Sequence, residues 1–200
     1  MKPTILLIAC GALARELVQI VRLNQWQHVR IQCLPPDLHN QPGRIPAAVR
    51  DLIERNRGQY QNIFVAYADC GTGGKLDAVL REFDAERLPG AHCYEFFTGQ
   101  HDFEALSEAE AGTFYLTDFL VRHFERLIRK GLGLDRRPEL KDAYFGNYRR
   151  LVYLAQRDDP GLDSQAARHA EFLELDYERH YTGSSRVERQ LQDHIARWQH

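Results

Sequence analysis

The chain is 200 residues long and 44% apolar, with 26 basic against 28 acidic side chains and a net charge of −2. That balance excludes a global field for nucleic acid or anionic lipid, and the apolar share is enough for one α/β domain spanning residues 1–200. The longest apolar run, Ile5–Cys10, is too short to cross a bilayer, and the amino terminus enters a strand pattern without a secretory leader. The expected compartment is therefore the cytoplasm, where thiols stay reduced.

Thr4–Ala9 is a continuous apolar run, as a parallel strand covered on both faces requires. Leu13, Leu17, Val18 and Val21 then recur at helical spacing. His28–Leu34 reads as the second strand, stopped by Pro35 and Pro36. Ile45, Val49, Leu52 and Ile53 mark the second helix, Asn62–Ala68 the third strand, and Leu76, Val79, Leu80 and Phe83 the third helix. A fourth strand is expected between Ala91 and Phe97 and a fifth at Gly112–Leu116. This alternation predicts an open, mostly parallel sheet with helices on both faces, Rossmann-like in plan.

After Thr117 the rhythm changes to a helical extension. Phe119, Leu120, Phe124, Leu127 and Ile128 predict an amphipathic helix ended by Gly131. Residues 139–157 predict another, with Tyr144, Tyr148, Leu151, Val152 and Ala155 inward. Leu173, Leu175 and Tyr177 alternate as a late strand would, and Ser185 with Glu188 reads as a capping box for a last helix.

Cys10, Cys70 and Cys93 fall where expected strands end. Ligands of open α/β sheets bind outside the carboxyl ends of strands, so the three can meet as one soft cluster. Thiolates suit zinc or an iron–sulfur cluster. The fourth donor is open; His92 flanks Cys93, Glu95 follows it, and His39 follows the second strand. The bland alternative treats each cysteine as a small buried apolar group, and Cys33, within strand two, is read so.

Asp69, Gly71, Thr72, Gly73 and Gly74 lie between strand three and its helix. Glycines allow close backbone approach, and a helix start offers free N–H groups, so this loop is read as an anion site or else as a tight turn. It matches neither a P-loop nor a dinucleotide fingerprint. Asp37-Leu38-His39 approaches a corrinoid-ligating pattern, but the glycine is one residue late, so His39 is kept as a ligand-contacting candidate. Asp118 is read as an early helix acid, His123 as a core or boundary histidine, and the run Tyr144–Arg150 as a packed tyrosine face rather than a nucleic-acid patch.

The segments 7–16, 34–42, 66–74, 92–99 and 112–120 together resemble the uncharacterised family named domain of unknown function 1638. They contain Cys10, His39, Cys70 and Cys93. Proteins of that family often accompany genes for corrinoid-dependent methyltransferases, so the resemblance implies a place in one-carbon metabolism. The leading expectation is a zinc or iron–sulfur protein with metal donors Cys10, Cys70, Cys93 and His92. It would serve corrinoid-linked methyl transfer on a small anionic or methylated ligand, with Cys70, Glu95 and His39 as candidate catalytic groups. Two rivals remain: a non-catalytic accessory that docks on a methyltransferase or corrinoid protein, and a metal-free enzyme with Cys70 as nucleophile.

Overall fold

The computed structural model describes residues 4–198. The described residues fold as an α/β protein with two parallel sheets, one of four strands and one of three. The sequence reading expects one continuous domain. The described residues group into two compact units, one running to Cys93 and resuming at Val187, the other Tyr94–Arg186. Among the described residues, no helix is long and apolar enough to cross a membrane.

The first unit is built around β1 (Ile5–Cys10), whose six side chains are all buried. A strand covered on both faces has no polar side, which is why its sequence shows no alternation. Helix α1 (Ala14–Leu23) follows, then β2 (Val29–Leu34), α2 (Ile45–Arg55), β3 (Asn62–Ala66), α3 (Lys75–Glu82) and the two-residue β4 (Glu86–Arg87). The sheet order is β2-β1-β3-β4, all parallel. On one face Leu6, Ile8, Val65 and Tyr67 pack with Ile45, Val49 and Ile53 of α2 and Leu76 and Leu80 of α3. Truncating a fully buried leucine such as Leu6 would cost about 2–5 kcal/mol. Phe64 contacts the rings of His194 and Trp198 at 4.4 and 5.8 Å. Asn24, ending α1, is hydrogen-bonded to Glu188 and Gln192, so the carboxyl-terminal helix folds back onto this unit rather than extending from it.

The expected fourth strand is corrected. Residues 91–94 are loop, and Phe96 and Phe97 are buried in a single helical turn, α4 (Glu95–Thr98). The aromatic run that resembled a strand packs as a turn. The real β4 is charged, and Arg87 is fixed there by a bidentate pair with Asp77 at 2.6 and 3.0 Å.

The second unit continues with α5 (Gln100–Ala109), β5 (Thr113–Thr117) and α6 (Asp118–Arg122), then a π-helical stretch at Glu125–Lys130. The single amphipathic helix expected here is therefore broken near His123. Next come α7 (Leu140–Phe145), β6 (Arg150–Ala155), α8 (Pro160–Leu173) and β7 (Asp176–Tyr181), while α9 (Ser185–Ala196) belongs from Val187 to the first unit. The sheet order is β5-β6-β7. The helix expected over 139–157 is wrong beyond Phe145: Leu151–Ala155 form a central strand buried on both faces. Helix α8 starts at a strong cap, where the Asp159 carboxylate accepts from Gly161 and Leu162 N–H and Pro160 opens the first turn.

Candidate metal centre

The order β2-β1-β3 makes β1 and β3 neighbours while their connections leave through β2, so a topological switch point lies between their carboxyl ends, where open α/β sheets bind ligands. Cys10 closes β1, and Cys70 lies four residues beyond β3. Gly11 follows Cys10 because a Cβ there would meet Leu34 O and Pro36 Cδ at 3.1 Å. Gly71 follows Cys70 with φ +81, and its Cβ position lies 3.4 Å from Pro42 Cγ. The proline-rich loop after β2 thus rests on both Cys-Gly steps, which carries His39 to the two cysteines. His39 Nδ1 is 3.6 Å from Cys10 Sγ, and the imidazole also hydrogen-bonds Cys70.

Cys93 arrives by extension of the β3–β4 pairing. Leu88 N–H donates to Val65 O, Asp69 N–H to Gly90 O at 3.1 Å, and Cys70 N–H to Ala91 O at 2.8 Å. These bonds set the Cys93 sulfur 3.0 Å from that of Cys70. The donor atoms of His39, Cys70 and Cys93 all lie within 4.8 Å of one another. All four cysteines of the chain are free thiols.

The loop that presents Cys70 is strained and strapped. Cys70 has φ +49, a left-handed conformation that a non-glycine residue keeps only when its surroundings impose it. The strap is Asp69: its carboxylate accepts from Thr72 Oγ1 at 2.7 Å, Gly73 N–H at 3.0 Å and Gly74 N–H at 2.8 Å. These are the amides that the sequence reading offered to an external anion. They are taken by the chain's own carboxylate, which those bonds hold below the usual aspartate range.

The electrostatics follow from these contacts. The hydrogen bond with Cys93, against burial and aided by His39, lowers the Cys70 thiol to about 5. Cys93 is pushed up by the same bond and by burial. Burial works against charge on His39, but its bonds to Cys10 and Cys70 prevail and raise it to about 10. In the metal-free protein the site is thus a thiolate beside an imidazolium. Cys10 Sγ also accepts from Ala12 N–H at 3.4 Å.

Of the residues singled out from sequence, the structure brings together Cys10, Cys70, Cys93 and His39. His92, named there as the fourth donor, is exposed and lies outside the converging group; His39 stands in that position. Glu95 opens α4 in the second unit. Tyr67 escaped the sequence reading. It is wholly buried, and its ring stacks on His39 at 5.8 Å and 12°. Its signal was its place three residues before Cys70 at the end of an apolar strand.

Among curated proteins none matches the chain, and among solved structures none matches. One family does: the chain belongs to the family described as "Protein of unknown function (DUF1638)", matched over residues 33–191.

Proposed function

We propose that this member of the family holds one soft, zinc-class divalent ion on His39, Cys70 and Cys93, with Cys10 beside them. The observation that carries the reading is the convergence of three donors within 4.8 Å. Metal–donor bonds of about 2.0–2.3 Å let two donors of a single ion lie up to roughly 4.6 Å apart, so a group gathered on this scale suits one ion after small adjustment. The Cys70 and Cys93 sulfurs would open somewhat from 3.0 Å to embrace it. Two thiolates and an imidazole are the donor chemistry of zinc.

The protein's own groups prepare that site. Cys70 enters already ionised, His39 must shed a proton on ligation, and Tyr67 fixes the imidazole plane by stacking. Bound there, the ion would supply Lewis acidity toward a soft sulfur or an oxygen. The setting we propose is methyl transfer on a small anionic or methylated ligand, with a corrinoid protein or methyltransferase as partner.

Elemental analysis and zinc titration of reduced protein, purified without oxygen, test the reading. One ion per chain is expected, with affinity falling by more than about 100-fold in Cys70→Ser, beyond the loss typical of an outer-shell partner. Iron with visible charge-transfer bands would replace zinc by a cluster. Protein that takes no metal would overturn the reading in favour of a second one, supported by the Cys70–His39 pair: a metal-free enzyme in which Cys70 is the nucleophile.

A further inference from the structure

We infer that Cys70 and Cys93 form a reversible dithiol–disulfide pair that exchanges with small-molecule disulfides. Their sulfurs are 3.0 Å apart, and a bond of about 2.05 Å needs only about 1 Å of further approach. The bonds from Asp69 N–H to Gly90 O and from Cys70 N–H to Ala91 O tie the two loops, so closure requires little backbone movement. The Asp69 strap keeps Cys70 in its left-handed conformation and its sulfur aimed at Cys93. The other cysteines are placed differently. Cys10 is engaged by Ala12 N–H and His39, and Cys33 is exposed on β2.

Cys93 is the more exposed of the pair, so it meets an external disulfide first. Its sulfur attacks one sulfur of the disulfide RSSR; the S–S bond breaks and the departing thiolate takes the proton from Cys93, leaving as RSH. Cys70 sulfur then attacks Cys93 sulfur. The mixed disulfide breaks, and a second RSH departs with a proton from His39, which bonds the Cys70 sulfur. In sum, the two sulfurs lose two electrons, and Cys93 and His39 give up one proton each, to RSSR, which becomes two RSH. This pairing stands without the metal reading but constrains it: the disulfide removes two sulfurs of the donor set, so only reduced protein would hold the ion.

The test uses the full-length protein, reduced, treated with chelator, freed of reductant and incubated with oxidised glutathione. The expected result is an intact mass lower by two hydrogens, a cross-linked peptide joining Cys70 to Cys93, and full reversal by dithiothreitol. Cys70→Ser is expected to trap one glutathione on Cys93. Unchanged mass, a lasting glutathione adduct without a cross-link, or a cross-link through Cys10 or Cys33 would each overturn the pair. Zinc binding is measured separately on reduced protein. Zinc uptake without cross-linking overturns the pair and leaves the metal reading standing; cross-linking without zinc uptake does the reverse.

Discussion

The two sheets end in opposite chemistry. At the carboxyl ends of β1, β2, β3 and β4, the first unit gathers thiols and an imidazole whose bonds are long, partial or shared. At the carboxyl ends of β5 and β6, the second unit gathers Tyr153, Gln156 and Arg157 around the carboxylate of Asp118. Asp118, wholly buried, accepts from Tyr153 Oη at 2.8 Å, Gln156 N–H at 3.0 Å and Arg157 Nε at 3.3 Å. Its own N–H donates to Gln156 Oε1 at 2.8 Å. Burial and the bond to Asp118 push the Tyr153 phenol well above its usual range. One strand end gathers soft donors within 4.8 Å of one another; the other turns its polar groups on a single buried carboxylate. A parallel sheet provides the same location in each case, and only the side chains decide whether it reacts or braces.

Three substitutions sharpen that contrast. The largest stability effect is expected from Asp118→Ala, which leaves the Tyr153 hydroxyl and Arg157 without their buried carboxylate. A loss of about 3–5 kcal/mol by denaturant titration is expected, with zinc stoichiometry of the folded protein unchanged. A stable Asp118→Ala protein that loses metal would erase the division between bracing and reactive ends. Cys10→Ser comes next. If Cys10 acts through His39 rather than as a donor, zinc affinity falls by about 10–100-fold and the stoichiometry stays at one; complete loss would promote Cys10 to ligand. The smallest effect belongs to Asp69→Ala, which frees the Gly73 and Gly74 amides and costs about 1 kcal/mol, since the carboxylate is partly in water. Because its folded carboxyl lies below the ordinary value, that contribution is complete above the usual carboxylate range and fades as pH falls through the folded value. Stability curves of wild type and Asp69→Ala are therefore expected to draw together as pH falls below the ordinary aspartate value and to meet once the folded carboxyl is fully protonated; a gap that persists in that protonated state would mean the strap does not act as a carboxylate.

Much of the first unit is legible from local patterns. Ile5–Cys10 and Asn62–Ala66 are recognisable because a doubly covered strand must be apolar without interruption. The same property hid β6. Leu151–Ala155 are buried in succession, and with Tyr144 and Tyr148 upstream they also satisfy a helical face. A run apolar on all sides carries no period, so spacing alone does not distinguish the two. Charged β4 lacked any signal, since its two residues are held by one ion pair and a short ladder.

The site divides in the same way. That Cys10 closes a strand and Cys70 follows one is legible along the chain, because glycine and apolar runs mark where strands stop; Cys93 instead sits in the loop after the short β4. That they converge, that His39 and not His92 joins them, and that Asp69 rather than a ligand fills the Gly73 and Gly74 amides were decided by tertiary structure. Those outcomes depend on the order β2-β1-β3-β4 and on the proline loop lying against Gly11 and Gly71. Strand order and loop contact are relations between residues distant in sequence, and no local preference for strand, turn or helix encodes them.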